Sequence, residues 1–272
     1  MALPRVNINP TVRLAWATDL HLDFARPAVY QAFADSLRLH QPDALLITGD
    51  ISEAPHFDLH LQHLAGCVDA PLYFVLGNHD FYRSTVAEVR TRAADLAAPL
   101  HWLPAQGIVE LTPDAALIGH DGFADARLGN YQRSDVVLND FFFIGELQNL
   151  DRRDRRRRMQ EFAEEAAAHF RRWLPEALDR YPHVIVATHV PPYREATWHE
   201  GRISDDDWLP FFSSRIAGEA ITAAATLYPA RRVTVLCGHT HGAGVAHIAP
   251  NIAVSTGGAA YGSPSLQTSL DL

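Results

Sequence analysis

Aspartate, histidine and asparagine side chains recur directly after short apolar segments of this 272-residue chain. Their oxygen and nitrogen atoms are hard-to-borderline metal ligands, and no cysteine stands among them, which argues against a closed structural zinc site. Seven such ligands are too many for one tetrahedral ion, and they suit two ions that share a carboxylate. The candidate ligands are Asp19, His21, Asp50, Asn78, His189, His239 and His241.

A glycine stands directly before three of these ligands. Gly49, Gly77 and Gly238 occupy these positions. Because glycine has no Cβ, the backbone can turn sharply there and approach a bound ion closely. The glycines therefore support the prediction of a metal site.

The candidate ligands follow segments whose alternation is typical of an α/β fold. In open α/β sheets ligands bind outside the carboxyl ends of the strands, so we expect these side chains to converge. The predicted strands are Val12–Thr18, Ala44–Thr48, Leu72–Leu76, Ala115–Gly119, His183–Thr188 and Val233–Cys237, with weaker ones near Val245 and Ile252. The predicted helices are Pro27–His40, Asp58–Cys67, Ser84–Ala97 and Asp151–Leu174.

Five motifs occur in a fixed order: Asp-x-His at 19–21, Gly-Asp at 49–50, Gly-Asn-His-Asp at 77–80, a lone His at 189 and Gly-His-x-His at 238–241. This set resembles the calcineurin-like metallophosphoesterase family, in its bacterial phosphodiesterase and phosphatase branch. The resemblance implies an α/β fold, a four-layer α-β-β-α sandwich in which two facing mixed sheets are flanked by helices. It also implies a single domain over 1–272, in which a loop and helix around 121–174 form a cap-like insertion over the site.

The resemblance further assigns roles to the motif residues. Asp50 would bridge two divalent ions (manganese, iron, zinc or magnesium), and a hydroxide shared by the ions would attack phosphorus. His79 would protonate the leaving-group oxygen or stabilise its developing charge. Glu53 occupies the position of a carboxylate that orients this histidine. One ion would be held by Asp19, His21 and His241, and the other by Asn78, His189 and His239.

The residues after Glu53 bear on the substrate. In the serine/threonine phosphatases of this superfamily an arginine directly follows the acidic residue at the position of Glu53, whereas Ala54 and Pro55 follow it here. Part of that branch's cationic phosphate clamp is therefore missing. This departure favours a phosphodiester or small-molecule substrate. The run from His189 to Pro192 also resembles the bacterial cyclic-nucleotide and general phosphodiesterase branch. The open alternatives are a phosphomonoesterase or protein phosphatase using the same site, and a non-catalytic binding scaffold with this fold.

Composition excludes several other classes of protein. The net charge of −9 disfavours a general nucleic-acid binder, whose affinity comes from cations that neutralise phosphates. All 23 basic residues are arginine, which excludes mechanisms that need a P-loop or Schiff-base lysine. We therefore expect the partner to be a small phosphorylated substrate, and the sequence does not indicate an oligomeric state. The two cysteines, Cys67 and Cys237, are expected to be reduced and buried.

Localisation is predicted from two absences in the sequence. No stretch approaches the roughly 18 apolar residues of a membrane helix. Residues 1–9 also lack the basic-then-apolar pattern of a signal peptide. We expect a cytoplasmic protein that makes no membrane contact.

Some further residues are candidate contributors to the site. His120 and Asp121 end a predicted strand, so they either contact the substrate or support the residues that do. Tyr193 follows His189 and is a further candidate substrate contact. Three histidines share one face of the second predicted helix, where they form either a third metal site or an ordinary partly buried face. They are His56, His60 and His63.

Three other segments carry structural predictions. The run from Arg152 to Arg158 contains six arginines, which either attract an anionic ligand or form ion pairs on an exposed helix face. The residues Phe141 to Ile144 are expected to be buried in the core, and the chain after Thr256 is expected to be irregular surface. The predicted ion pairs are Asp151 with Arg155, Asp154 with Arg158 and Arg157 with Glu161.

Overall fold

The computed structural model describes residues 11–272, and the start of the chain that was compared with a signal peptide lies outside this range. The observed strands follow the predicted apolar runs, with short additional strands between them. They are β1 (Arg13–Ala17), β2 (Ala44–Thr48), β3 (Leu72–Val75), β4 (Leu100–Trp102), β5 (Val109–Thr112), β6 (Ala115–Gly119), β7 (His183–Ala187), β8 (Trp198–His199), β9 (Arg202–Ile203), β10 (Arg232–Cys237), β11 (Gly244–Ala249), β12 (Ile252–Thr256) and β13 (Leu270–Asp271).

The strands form two mixed sheets and a small hairpin. The five-stranded sheet has the order β13-β1-β2-β3-β4, and only its β13–β1 pair is antiparallel. The six-stranded sheet has the order β11-β12-β10-β7-β6-β5, with antiparallel pairs at both edges and parallel strands between them. Every residue of β2 and β7 is buried, as is typical of parallel strands that are covered on both faces. Strands β8 and β9 form the hairpin.

The helices cover the outer faces of the two sheets. Along β1, Leu14 and Trp16 belong to an apolar cluster between the sheets, whereas Ala15 and Ala17 pack with the first three helices, as the two-residue period of a strand requires. A third cluster joins the six-stranded sheet to α6 and α8, so the four-layer prediction is confirmed. The helices are α1 (Pro27–His40), α2 (Phe57–Ala65), α3 (Val86–Ala94), α4 (Leu103–Gln106), α5 (Asp140–Phe143), α6 (Arg152–Arg180), α7 (Leu209–Phe212) and α8 (Arg215–Leu227).

Two helices differ from the sequence prediction. Helix α6 continues through Pro175 to Arg180, beyond the predicted end at Leu174. Continuation buries Ala177 and Leu178 in the cluster beneath the six-stranded sheet, and this burial opposes the helix-breaking tendency of proline. The alanine-rich helix α8, for which the sequence analysis named no bounds, packs against α6 and contributes to the same cluster.

The arginine run at the start of α6 holds the preceding loop. Arg152 donates hydrogen bonds to the carbonyl groups of Tyr131 and Ser134, and Arg155 and Arg156 donate to the carbonyl groups of residues 150 and 126. Of the predicted ion pairs, Arg157–Glu161 is present at 3.9 Å. The other two are not among the ion pairs of residues 11–272. The Asp151 carboxylate instead caps α6 and Arg155 contacts the loop, while Asp154 pairs with Arg157 and Arg158 pairs with Glu161. The interpretation of the arginines as ion pairs on an exposed helix face is therefore correct for only part of the run.

Two predictions about apolar and terminal segments need correction. Phe141 and Ile144 are buried, but Phe142 and Phe143 are 59% and 40% exposed, because α5 is a single short turn that presents only one side to the core. The segment after Thr256 is not purely irregular surface, since it ends in β13, which pairs with β1. Both cysteines are free and buried as expected. No helix within residues 11–272 combines the length and apolar character needed to cross a membrane.

Candidate metal centre and its pocket

The carboxyl ends of β1, β2, β7 and β10 meet at one edge of the two sheets, and backbone hydrogen bonds join the loops that follow them. The Asp19 N–H donates to the Gly49 carbonyl at 3.0 Å, and the His21 N–H donates to the Asp50 carbonyl at 2.9 Å. The Gly238 N–H donates to the His189 carbonyl at 2.9 Å. These bonds bring together residues that are far apart in the sequence.

Four of the predicted ligands form one compact group. Ligand atoms of Asp19, His21, Asp50 and His241 all lie within 4.8 Å of one another. The first three are buried, and His241 is partly exposed. The Nε2 atoms of His21 and His241 face each other at 3.0 Å. This group could hold a metal ion.

The other three predicted ligands form a second group beside the first. Asn78 Oδ1 lies 3.1 Å from His189 Nε2 and 2.9 Å from His239 Nδ1. Asp50 stands between the groups: its Oδ1 is 3.4 Å from His189 Nε2, and its Oδ2 is 3.7 Å from His21 Nε2. The two oxygens of one carboxylate thus face the two groups, as the predicted bridging role requires.

Hydrogen bonds on the outer side of two imidazole rings determine which nitrogen faces the centre. His239 Nε2 donates to the Phe211 carbonyl at 2.9 Å, and burial lowers the pKa of His239 to about 3, so its Nδ1 is an unprotonated acceptor. That acceptor faces another acceptor, Asn78 Oδ1. His189 Nδ1 donates to the Thr48 carbonyl at 2.9 Å. Two facing acceptors repel each other unless a cation lies between them, so the donor set fits a divalent ion.

Electrostatics at His189 point the same way. Burial alone would lower its pKa, but the Asp50 carboxylate outweighs burial and raises the pKa to about 10. In the absence of metal a proton therefore supplies positive charge beside Asp50. A metal ion at this position would displace that proton.

Five of the predicted ligands have left-handed backbone conformations. The φ angles are +49° at Asp19, +44° at His21, +51° at Asp50, +72° at His239 and +58° at His241. Such angles are uncommon outside glycine, although aspartate, asparagine and histidine adopt them more readily than other residues. The loops therefore place several strained residues at the centre, as is common at functional sites.

Gly77 and Gly238, predicted to let the backbone approach a bound ion, lie against candidate ligand side chains of other loops. A Cβ on Gly77 would overlap the Asp50 carboxylate, and a Cβ on Gly238 would overlap the Asp19 carboxylate and the Thr18 hydroxyl. Glycine at these positions lets the backbone of one loop lie against a ligand from another loop.

Asp80, the last residue of the Gly-Asn-His-Asp motif, holds two of these loops together. Its buried carboxylate accepts hydrogen bonds from the N–H groups of Ile51 at 2.9 Å, Ser52 at 3.0 Å and Gly77 at 2.8 Å. The sequence analysis placed Asp80 in the motif but gave it no role. Three backbone bonds to one carboxylate assign it to positioning the Asp50 loop.

His79 lies beside the centre, but its contacts differ from the prediction. Its N–H donates to Asp50 Oδ1 at 2.9 Å, and its ring Nε2 lies 3.3 Å from the Tyr261 hydroxyl. Its Nδ1 is buried without a hydrogen-bond partner among the described residues. The interpretation that Glu53 orients this ring is wrong for this structure, because the Glu53 carboxylate instead pairs with the Arg83 guanidinium.

A pocket of about 210 Å³ opens above the centre. One wall consists of aromatic rings: Trp208 and Phe212 have ring centroids 5.0 Å apart with planes inclined by 31°, and Phe212 also packs on His239. No arginine lines this pocket among residues 11–272, and the chain contains no lysine. Residues 138–140, from the predicted cap-like insertion, line the pocket, together with residues for which no pocket role was predicted: Tyr82, His199, Trp208, Phe212, Thr240 and Tyr261.

The loop before α6 reaches this pocket through residues 138–140. Helix α6 contributes no lining residue within the described chain and packs instead on the outside of the six-stranded sheet. The cap-like part of the predicted insertion is therefore confined to the loop, because α6 belongs to an outer layer of the sandwich.

The three candidate substrate contacts do not line the pocket. Asp121 is fully buried and accepts hydrogen bonds from the Leu76 N–H, the Trp102 indole and the Arg90 guanidinium, and His120 is also buried. Tyr193 lies in a separate groove, where its hydroxyl donates to the Gly218 carbonyl at 3.1 Å. Their positions near strand ends are correct, but their side chains point into structural contacts.

The three histidines of the second helix face are engaged in contacts with Asp23 and Tyr30. His56 Nδ1 lies 2.8 Å from the Asp23 carboxylate, His60 contacts the Tyr30 hydroxyl at 3.4 Å, and His63 packs on the Tyr30 ring. They do not form a group that could hold a metal among the described residues. This outcome matches the interpretation of a partly buried face.

Comparisons with known proteins agree with the family resemblance of the motifs. A family model described as calcineurin-like phosphoesterase matches residues 12–243. UDP-2,3-diacylglucosamine hydrolase of Xanthomonas campestris pv. campestris is 40% identical over 76 residues, which cover 24% of this chain and 31% of that protein. The enzyme of the same name from Xanthomonas oryzae pv. oryzae is 34% identical over 115 residues, covering 38% and 44%. The matches thus span less than half the length of these relatives.

Structural comparison extends over nearly the whole chain. Phosphopantetheinyl hydrolase from Mycobacterium tuberculosis superposes with a TM-score of 0.65 at 15% identity, covering 93% of this chain and 91% of that one. A dimetal phosphatase from Danio rerio superposes with a TM-score of 0.57 at 13% identity, covering 92% and 88%. At these identities the similarity establishes a shared fold.

Proposed function

This chain belongs to the calcineurin-like phosphoesterase family, and on that premise we propose that it is a hydrolase that cleaves a phosphate ester with the help of two divalent metal ions. The observation that carries the proposal is the placement of Asp50. Its Oδ1 lies 3.4 Å from Nε2 of His189 in one group of candidate ligands, and its Oδ2 lies 3.7 Å from Nε2 of His21 in the other group. A mononuclear site would have no use for the second group.

The residues that would hold the ions are those that the sequence predicted. Asp19, His21 and His241 would serve one ion, Asn78, His189 and His239 the other, and Asp50 both. Bound divalent ions would neutralise charge on the phosphoryl oxygens and lower the pKa of water, whether they are manganese, iron, zinc or magnesium.

His79 would supply the proton that the leaving-group oxygen needs. Its Nε2 contacts the Tyr261 hydroxyl at the pocket wall, and an imidazole transfers protons efficiently near neutral pH. The hydrogen bond from its backbone N–H to Asp50 fixes its distance from the ligand groups. Tyr261 would replace Glu53 as the partner that orients the ring.

The pocket favours a phosphodiester or another small phosphorylated molecule. A dianionic monoester needs more positive charge than a monoanionic diester, and the described lining residues include no guanidinium group. The aromatic wall of Trp208 and Phe212 provides an apolar surface for the organic part of the substrate. The relatives named UDP-2,3-diacylglucosamine hydrolase also act, by that name, on a small phosphorylated molecule.

The test combines elemental analysis with two chromogenic substrates. Purified protein loaded with Mn²⁺ should contain two ions per chain and should hydrolyse bis(p-nitrophenyl) phosphate faster than p-nitrophenyl phosphate. Preference for the monoester would favour a phosphomonoesterase or protein phosphatase at the same site. Two bound ions with no turnover of either ester would favour a non-catalytic scaffold, and the absence of stoichiometric metal would overturn the proposal.

A further inference from the structure

The side-chain amide of Asn78 has different partners at its two ends. Its Oδ1 faces the imidazoles of His189 and His239, as described above. Its Nδ2 donates to Asp140 Oδ1 at 2.9 Å and lies 3.4 Å from the Tyr82 hydroxyl. Tyr82 in turn donates to the same Asp140 oxygen at 2.6 Å. Asp140 and Tyr82 are buried, so no solvent competes for these bonds.

This orientation is the unfavourable one for His239 by itself. His239 Nε2 donates to the Phe211 carbonyl, which leaves Nδ1 as an acceptor, and an amide rotated by 180° would donate to that nitrogen through Nδ2. The rotation would also place Asn78 Oδ1 against the Asp140 oxygen, which already accepts from Tyr82. Asp140 therefore opposes a rotation that the contact with His239 alone would favour.

We propose that Asp140, assisted by Tyr82, is a positioning residue that keeps Asn78 Oδ1 directed toward the second metal position and so determines the affinity of that position. The inference rests on the proposed function, in that it assumes a metal ion at the group of Asn78, His189 and His239. Within residues 11–272, Asp140 has no hydrogen bond to Asp19, His21 or His241. Its effect should therefore be confined to the second metal position.

The backbone around Asp140 makes it suited to this role. The Arg83 N–H donates to the Phe143 carbonyl at 2.8 Å, and the Gly145 N–H donates to the Ser84 carbonyl at 2.9 Å. These bonds attach α5 to the segment that directly follows His79 and Tyr82. The loop before α6 thus reaches the metal centre through a fixed carboxylate, which links the position of the loop to the binding of the second ion.

The experiment is a titration of metal-free protein with Mn²⁺, followed by electron paramagnetic resonance and by metal content after gel filtration. Asp140→Leu should weaken binding of the second ion by about 10- to 100-fold, which is the usual cost of losing a hydrogen bond to a ligand, and should leave the first ion bound. The spectrum of a coupled manganese pair should give way to that of a single ion. Asp135→Leu, which makes the same replacement at an exposed position of the same loop outside the pocket, is the matched control and should bind two ions as the wild type does.

Two milder variants keep the test informative if Asp140→Leu does not fold. Asp140→Asn retains an acceptor for Asn78 and Tyr82→Phe retains Asp140, so each should weaken the second ion less than Asp140→Leu does. Unchanged two-ion binding in folded Asp140→Leu, or in both milder variants, would overturn the inference, and equal weakening of both ions would indicate a merely structural role. Failure of the wild type to bind two ions would instead count against the proposed function.

Discussion

The ring Nε2 of His79 lies 3.3 Å from the hydroxyl of Tyr261, a residue 182 positions later in the chain. The Tyr261 ring also packs on His21 with centroids 4.4 Å apart, so the tyrosine contacts both a candidate ligand and the candidate proton donor. This contact places the segment after β12 at the pocket. It also gives His79 an orienting partner that is not a carboxylate.

Replacing His79 with alanine tests the proton-donor role. His79→Ala should retain both metal ions, because the His79 ring contacts the Tyr261 hydroxyl and makes no hydrogen bond to a candidate ligand among the described residues. Turnover of diesters with poor, alkyl leaving groups should fall by about 10²- to 10⁴-fold, the usual contribution of a general acid, and turnover of p-nitrophenyl esters should fall much less. Equal losses for both leaving groups, measured as kcat, would contradict the acid role.

Replacing Asp50 with asparagine tests the bridging carboxylate. Asparagine tolerates the left-handed backbone at this position, so Asp50→Asn removes charge without adding backbone strain. We expect metal content and hydrolysis to fall together, each by more than about 100-fold, since loss of an outer-shell partner alone costs 10- to 100-fold. Asp114→Asn, in the exposed turn between β5 and β6, is the control. Full metal content in Asp50→Asn, by elemental analysis, would refute the bridging role.

Gly238→Ala tests the close approach of two loops. The added Cβ would overlap the Asp19 carboxylate, so either that ligand or the loop must move. We expect a loss of about 1 to 3 kcal/mol in the free energy of unfolding, as is typical of overpacking, together with weaker binding at the Asp19 group. Gly201→Ala is the control for glycine replacement, because a Cβ there meets nothing within 4 Å, although its positive φ will add some strain. Urea denaturation and Mn²⁺ titration measure the two effects, and wild-type values for Gly238→Ala would contradict the argument.

Acid should destabilise the fold through two histidines outside the site. Burial lowers the pKa of His169 to about 4, and burial together with the nearby Arg232 lowers that of His183 to about 4. Between pH 6.5 and about 4 the unfolded chain therefore binds more protons than the folded chain, so the free energy of unfolding falls as pH falls through that window. His169→Gln should reduce this pH dependence by about one proton. Urea denaturation at a series of pH values measures it, and identical slopes for wild type and His169→Gln would show the assignment to be wrong.

Arg152 should control the order of the loop before α6. Arg152→Met removes the guanidinium bonds to the Tyr131 and Ser134 carbonyls, each worth about 1 kcal/mol or more. We expect chymotrypsin to cleave the loop about fivefold faster or more, which corresponds to about 1 kcal/mol in local opening. Exposed Arg153→Met is the matched control. Equal cleavage rates for the two variants would mean that the loop is held by other contacts.

Much of the scaffold was predictable because the buried parallel strands are short, continuous apolar runs. The predicted bounds of β2, β6 and α1 agree with the structure, and the convergence of the candidate ligands was predicted from their types and their order after strands. Strands β4 and β13 were missed because strands of two or three residues give no distinct periodic pattern. Helix α8 was also missed, although its buried residues lie on one face.

The pocket walls were less predictable than the ligands. Asp140 begins the short helix α5, and Trp208 and Tyr261 come from loops. All three reach the site only through tertiary contacts, so neither residue type nor spacing distinguishes them from ordinary surface residues. The ion pair between Glu53 and Arg83 could not be predicted from the sequence either, because the two residues belong to different loops. The side chains of His120, Asp121 and Tyr193 show the converse, because a position near a strand end does not determine where a side chain points.

The left-handed angles at five candidate ligands limit how this centre can change during evolution. A replacement must satisfy the backbone as well as the metal, and most residue types, β-branched ones above all, are costly at such angles. Accepted substitutions at these five positions should therefore be drawn mainly from asparagine, glycine, aspartate and histidine. A descendant that has lost catalysis but kept this fold should still have only these few residue types at the five positions.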